Sequence, residues 1–320
     1  MLKTTILIGL FVLQVAVANS ASAETRTACP PVAGQPTPEM IQAGMKNARD
    51  HGFLWRISKD GRTSFLYGTM HVGKLDWVFP GARVSEALRA TDTVALELDD
   101  LDADIQERMA KGMAAQPHTP LPDSLVKRLR QQADAVCIPY SSIAGLSPEF
   151  QMEVLTLMVG RWEGLDASYA IDAVLAGIGH GAKKNMVSLE TPELQLRLLQ
   201  MQTPQETIAF VDDGLNELET GRSRTLLHRL AKIWATADYA EMSRFSEWCD
   251  CLNTEIEREM MKRVLDKRNP GMAEHIDALH ASGKRVFAAV GSLHMFGSIG
   301  LPALMEKRGY RVERVDLNRP

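Results

Sequence analysis

The chain has 320 residues, with 36 basic and 40 acidic side chains and a formal net charge of −4. No basic face is clustered enough to read as a nucleic-acid footprint, so no nucleic-acid partner is expected. The length can bury a substantial core, as one large domain or two smaller ones.

Residues 1–23 read as an export signal. Lys3 supplies the positive end, Ile6 to Val17 the apolar stretch, and Ala21-Ser22-Ala23 the small-residue cleavage site. The apolar run is short for a bilayer span, and later apolar stretches are interrupted by charge. The expected mature chain starts at Glu24, has no stable membrane span, and is periplasmic or secreted. Residues 24–50, with Cys29-Pro30-Pro31 and Pro36-Thr37-Pro38, are expected as an extended lead-in. Residues 51–320 are expected as one domain with a helical insertion over about 101–280.

Phe53 to Ile57 and Ser64 to Tyr67 flank Lys59-Asp60-Gly61, which predicts a hairpin. Val84 to Ala90 reads as a short helix and Val94 to Leu98 as a strand. The acidic run Asp99, Asp100, Asp102 and Asp104 lacks calcium-loop spacing and is expected to open a helix. Ser147-Pro148-Glu149 is a helix start, with a cap and then Pro. Met186 to Leu189 is a strand, and Thr191-Pro192-Glu193 opens the next helix. From Pro204 to about Leu279 the pattern is helical, with breaks at Gly221 and Asn269-Pro270-Gly271. Val286 to Val290, Leu301 to Lys307 and Tyr310 to Val315 read as strand, helix and strand. Strands thus gather at both ends and helices fill the middle, which predicts an α/β or α+β fold with one shared sheet.

All four cysteines, Cys29, Cys137, Cys249 and Cys251, follow the export signal. An even count in an exported chain favours disulfides, with three possible pairings. One expectation is that Cys29 pins the lead-in to Cys249 or Cys251, leaving Cys137 for the other. A Cys-x-Cys metal site is the competing reading, without nearby histidines at finger spacing.

Two segments stand out. Ser64-Phe65-Leu66-Tyr67-Gly68-Thr69-Met70-His71 and Val286-Phe287-Ala288-Ala289-Val290-Gly291-Ser292-Leu293-His294 are both β-prone runs. Each breaks at a Gly and delivers a His three residues later. Gly permits a positive φ or a close backbone approach at such a break. Strand ends are where α/β proteins build sites, and imidazole is the commonest metal ligand. The third match, Gly177 to His180, ends a helical pattern, where a positive imidazole favours the dipole.

Two carboxylates sit at comparable places. Glu97 interrupts the apolar run Val94 to Leu98, where a lone charge is costly unless paired or metal-bound. Glu190 ends Val187-Ser188-Leu189. Two His and two Glu at strand ends could hold a divalent ion such as zinc, manganese, iron or cobalt. The alternatives are a buried ion pair between Glu97 and Arg268, and helix capping by Glu190. Ser292 lies near His294 without a nucleophile elbow around it. Met152 and Met158 read as core filling.

This ordered set of motifs resembles the TraB/GumN superfamily, in its GumN-like bacterial branch. The residues that carry the likeness are Phe65 to His71, Ala95 to Leu98, Ser188 to Thr191 with Gln195, Lys267 to Asn269 with Met272, Val290 to His294, and Gly300 to Val312. The likeness runs from about Gly52 to Val315. It places the family's two Gly-x-x-His motifs on Gly68/His71 and Gly291/His294, its glutamates on Glu97 and Glu190, and its Arg-Asn element on Arg268 and Asn269. The superfamily includes the Tiki proteases of animals, so the resemblance implies a metal-dependent, peptidase-like site. Wider fold relatives include haem-binding lipoproteins and erythromycin esterases, so fold alone selects no substrate.

The leading expectation is an exported, divalent-metal-dependent hydrolase acting on a peptide or protein. His71 and His294 would be ligands, with Glu97 and Glu190 dividing the roles of ligand and general base. Arg268 would hold a carboxylate, stabilise an oxyanion or be purely structural. The alternatives are a non-catalytic metal-, haem- or peptide-binding protein and a metal-independent esterase with a histidine base. Oligomeric state is left open.

Overall fold

The computed structural model describes residues 29–317. The expected export signal lies outside the described residues. Six strands form one sheet: β1 (Phe53–Lys59), β2 (Arg62–Thr69), β3 (Thr93–Leu96), β4 (Asn185–Ser188), β5 (Val286–Gly291) and β6 (Arg311–Arg314). Their order across the sheet is β4-β3-β5-β2-β1-β6. The fold is α/β, with strands from both ends of the chain in one mixed sheet.

The hairpin forms where the sequence predicts it. Lys59 pairs with Arg62 across a two-residue turn. Asp60 and Gly61 sit at φ 51° and 74°. A tight hairpin needs positive φ at both central residues, and Asp-Gly supplies them cheaply. β2, β5, β3 and β4 run parallel, while β1 pairs antiparallel with β2 and β6. β5 is central, and Val286 to Val290 are fully buried. That agrees with its unbroken apolar run, the mark of a parallel strand covered on both faces. The edge strand β6 carries exposed Arg311 and Arg314, and such charges discourage pairing with another chain.

The helices before β4 are α1 (Pro38–Lys46), α2 (Ala82–Ala90), α3 (Ala103–Ala114), α4 (Asp123–Ala135), α5 (Pro148–Met158) and α6 (Ile171–Gly181). After β4 come α7 (Pro192–Leu199), α8 (Pro204–Glu219), α9 (Arg222–Ala235), α10 (Tyr239–Ser243), α11 (Phe245–Trp248), α12 (Glu255–Met261), α13 (Asn269–Ala281) and α14 (Leu301–Lys307). Their starts follow the chemistry of the caps. Ser147, Thr191 and Thr203 each precede a Pro and accept a backbone N–H from the first turn. Gly221 takes the left-handed conformation that separates α8 from α9. Asn269-Pro270 begins α13 two residues after a π-helical turn, Lys262–Asp266. No helix among the described residues is long and apolar enough to cross a membrane.

Three expectations change. The lead-in is not extended throughout, because Pro38–Lys46 is helical. Thr37 caps it, Pro38 opens it and Glu39 lies in its first turn. The stretch 101–280 is not a simple insertion, since β4 within it pairs with β3 inside the sheet. The cysteines form disulfides, but Cys29 pairs with Cys137 and Cys249 with Cys251. The lead-in therefore crosses to the end of α4 rather than to the segment after α11. The Cys-x-Cys pair is bonded to itself, so it holds no metal.

Candidate functional site

The four parallel strands end at one edge of the sheet, and their continuations deliver the side chains singled out above. β2 leads to His71, β3 to Glu97, β4 to Glu190, and β5 to His294 on the short turn Ser292–Met295. Thr69 is level with Gly291, and Leu96 with Ser188. The register thus brings residues from both ends of the sequence to the carboxyl edge, where open α/β sheets bind ligands.

The two motif glycines have ordinary negative φ or extended backbone, so neither is there for a left-handed turn. Close approach explains Gly68. A Cβ on it would lie 3.0 Å from Ser292 Oγ and 3.2 Å from Ser292 Cα. Gly291 faces the site itself. A Cβ there would lie 3.3 Å from Glu97 Oε1 and 3.6 Å from both His71 Nε2 and His294 Cδ2. The bare glycine leaves a hollow ringed by the two histidines and the glutamate.

His71 is half exposed, with Nδ1 2.8 Å from Asp172 Oδ2. Asp172 lies in the first turn of α6 and also accepts a hydrogen bond from the Thr69 hydroxyl. An ionised carboxylate only accepts, so Nδ1 carries a hydrogen and Nε2 points to the hollow. Attraction to Asp172 pushes the His71 imidazole up to about 10, against the opposing effect of burial.

His294 is buried and differently held. Asn269 donates its amide Nδ2 to the Ile299 carbonyl at 2.9 Å, which turns its Oδ1 toward His294 Nδ1 at 2.6 Å. That amide oxygen accepts from Nδ1–H, so Nε2 is left as an acceptor. Burial pushes His294 down to about 4, although Glu97 pulls the other way. Its neutral Nε2 lies 3.8 Å from Glu97 Oε1. Two acceptors face each other across that gap.

Glu97 is buried, and burial opposes its charge. Attraction from Arg268 and from charged His71, together with the Gly291 N–H at 2.7 Å, still holds the carboxyl well below the usual carboxylate range. Arg268 Nη2 donates to Glu97 Oε2 and, at 2.5 Å, to Glu190 Oε2. Arg268 Nε adds a 2.9 Å bond to Glu190 Oε1. Gln195 donates to both carboxylates, at 3.3 Å and 3.1 Å. The ion-pair alternative for Glu97 and its place at the site are therefore both realised: one oxygen faces Arg268, the other His294. Glu190 is engaged by Arg268 and Gln195, with its side chain nearly closed off from solvent.

Other sequence candidates fall elsewhere. His180 ends α6 and pairs with buried Asp99 at 2.8 Å. Asp102 caps α3, as expected of the acidic run. Ser292 is buried and donates to the Thr69 carbonyl at 2.7 Å, which leaves no nucleophile role for it. Sequence reading missed Asp172 and Glu153. Asp172 lies in an apolar helical stretch about 100 residues beyond its partner, so nothing local marks it. Glu153, on α5, has its carboxyl raised by burial and partly offset by the charge of His71.

Among the described residues no group of three or more His, Cys, Asp or Glu is gathered at metal-holding distances. The donor chemistry nevertheless fits a divalent ion. Three donors of suitable type ring the Gly291 hollow. Each imidazole has its Nδ1 fixed by an oxygen, the outer support that metal-binding histidines use. Glu97 keeps Oε1 toward the hollow.

No curated protein and no solved structure gives a match to this sequence. The family model described as the TraB/PrgY/gumN family matches residues 53–314, a span that holds all six strands and every residue of the site. The chain belongs to the TraB/PrgY/gumN family.

Proposed function

We propose that this chain is an exported, divalent-metal-dependent hydrolase whose substrate is a peptide or protein. The observation that carries the reading is the pair of facing acceptors, His294 Nε2 and Glu97 Oε1, at 3.8 Å. Two lone pairs at that separation call for a proton or a cation between them. His71 Nε2 borders the same hollow. His71, which would release on binding the proton that Asp172 favours, would hold zinc, manganese, cobalt or iron together with His294 and Glu97. The ion, when bound, polarises a carbonyl and lowers the pKa of water.

The chain's own residues divide the remaining work. Asp172 and Asn269 aim the two imidazoles. Glu97, held anionic, supplies a ligand oxygen or accepts the proton of the attacking water. Arg268 fixes Glu97, and Glu190 is assigned to hold Arg268. The likeness to the Tiki proteases supports peptide over other acyl substrates. The export signal and two disulfides support an oxidising compartment. Metal analysis of the purified protein, with a peptide-library cleavage assay before and after chelation, tests the proposal. Stoichiometric metal and chelator-sensitive cleavage are expected. Stoichiometric metal without cleavage would make the chain a binding protein instead.

One observation favours a second reading. Asp172 orients the half-exposed His71 as a carboxylate orients a catalytic imidazole, and because it holds His71 charged at neutral pH, base catalysis by this pair would need alkaline pH. Chelator-resistant ester hydrolysis that disappears in His71→Ala would establish that reading and remove the metal from the chemistry.

A further inference from the structure

The Cys249–Cys251 disulfide contributes no side chain to the site above, and its surroundings differ from those of the other bridge. Cys29–Cys137 spans 108 positions in sequence. It ties the lead-in to the end of α4, and a few residues on, the Ala33 N–H donates to Asp166 and the Gly34 carbonyl accepts from Tyr169. Cys249 and Cys251 are separated by Asp250 alone. A bridge that closes a long loop removes much chain entropy from the unfolded state, and one that closes a three-residue ring removes little. Linkage makes this reciprocal: the fold stabilises a bridge by as much as the bridge stabilises the fold. The fold therefore protects Cys29–Cys137 strongly and Cys249–Cys251 weakly.

Three local features add to this. Asp250 sits at φ 49°, in the left-handed region that non-glycine residues adopt at a cost. The two cysteines are unequally placed, since Cys249 is buried at 4% exposure and Cys251 is partly exposed. Cys249 Sγ already accepts the Cys251 backbone N–H at 3.3 Å. That hydrogen bond would stabilise a thiolate on Cys249 and make it the better leaving group.

We propose that Cys249–Cys251 is a redox-active site that takes two electrons from a dithiol in a peptide or protein. One substrate thiolate attacks the accessible Cys251 sulfur. The Cys249–Cys251 bond breaks, and its electron pair leaves on Cys249 as a thiolate. The second substrate thiolate then attacks the substrate sulfur of the mixed disulfide and expels Cys251. The substrate ends as a disulfide, the protein pair as two thiols, and the two protons lost by the substrate are matched by those the cysteines gain. This activity is independent of the hydrolase reading.

The test uses the oxidised protein and a synthetic peptide carrying two thiols. Wild type is expected to oxidise about one equivalent of peptide at least about tenfold faster than the Cys249→Ser/Cys251→Ser double variant, which keeps the other bridge. Alkylation and peptide mapping should find Cys249 and Cys251 reduced and Cys29–Cys137 intact. In graded dithiothreitol the short bridge should open at a reduced-to-oxidised ratio at least about tenfold lower than the long one. Equal peptide oxidation by the double variant would overturn the proposal. So would reduction of the two bridges together, or of Cys29–Cys137 first.

Discussion

The two Gly-x-x-His segments begin alike and end in opposite states. Both follow parallel strands that end at the same edge of the sheet, and both histidines border the hollow at Gly291. His71 is half exposed and leans on a carboxylate, which favours its charged form. His294 is buried and leans on an amide oxygen, which leaves it neutral. The motif sets where an imidazole goes. The partner across the fold sets what it carries. A motif alone therefore predicts position, while protonation is a property of the tertiary structure.

The buried half depends most on Arg268. It is the cation shared by two carboxylates that are almost closed off from solvent. Arg268→Ala should leave both unpaired and cost about 3–5 kcal/mol, the range for breaking a buried ion pair. Urea unfolding at neutral pH would measure it. The loss should shrink in acid, where protonation relieves the stranded carboxylates. An unchanged midpoint would show that Gln195 and the Gly291 N–H suffice.

The histidines should separate next. His294→Ala removes the partner of buried Asn269 Oδ1, so about 1–3 kcal/mol is expected. His71→Ala breaks a pair in which only the imidazole is half exposed and leaves mostly buried Asp172 with the Thr69 hydroxyl, so about 1 kcal/mol is expected, below the cost at His294. If the proposed metal site is right, both variants bind metal more weakly despite this difference in stability. Equal unfolding midpoints for the two variants would erase the contrast between the segments.

Titration sharpens the same contrast, and the signs are opposite. For His71 the folded value, about 10, lies above the ordinary 6.5. Its contribution to stability is full below about 6.5 and is lost as pH rises toward 10. For His294 the folded value, about 4, lies below 6.5. Its contribution is full above about 6.5 and is lost as pH falls toward 4. Proton NMR of the metal-free protein should find His71 charged and His294 neutral at pH 7. Asp172→Asn should bring His71 down and let His294 rise a little, because the charge of His71 is one of the effects that lower it.

The sequence was most legible where local chemistry decides. The Asp-Gly hairpin, the Ser147-Pro148 helix start and the fully apolar β5 each follow from a few adjacent residues. The convergence of the histidines and Glu97 was legible for a related reason: each follows a β-prone run, and parallel strands of one sheet end at one edge. Long-range pairing was not. Cys29 finds Cys137, and Asp172 finds His71, because helices between them bring distant positions together. Neither sequence position carries a trace of its partner. Pro38–Lys46 was missed because prolines dominate its surroundings, although Thr37-Pro38-Glu39 has the form of a helix start.

The glycines give the smallest and most specific test. Neither needs a conformation forbidden to alanine, so only space separates them. At Gly68 the added methyl meets the Ser292 backbone at 3.2 Å, and Ser292 directly follows the last residue of β5 paired with β2 and is tied to β2 by its hydroxyl on the Thr69 carbonyl. Overpacking of this kind typically costs about 1–3 kcal/mol. At Gly291 the methyl enters the hollow and meets side-chain atoms at 3.3–3.6 Å, which is near ordinary contact. Gly291→Ala should therefore change stability by less than about 0.5 kcal/mol. It occupies the space between His71, Glu97 and His294, so it should weaken metal binding all the same. Isothermal titration with manganese or zinc beside a thermal melt would read both effects. Loss of stability at Gly68 without loss of fold, and loss of binding at Gly291 without loss of stability, would show that one glycine serves the sheet and the other the site. If Gly291→Ala binds metal as wild type does, the hollow is not where the ion sits.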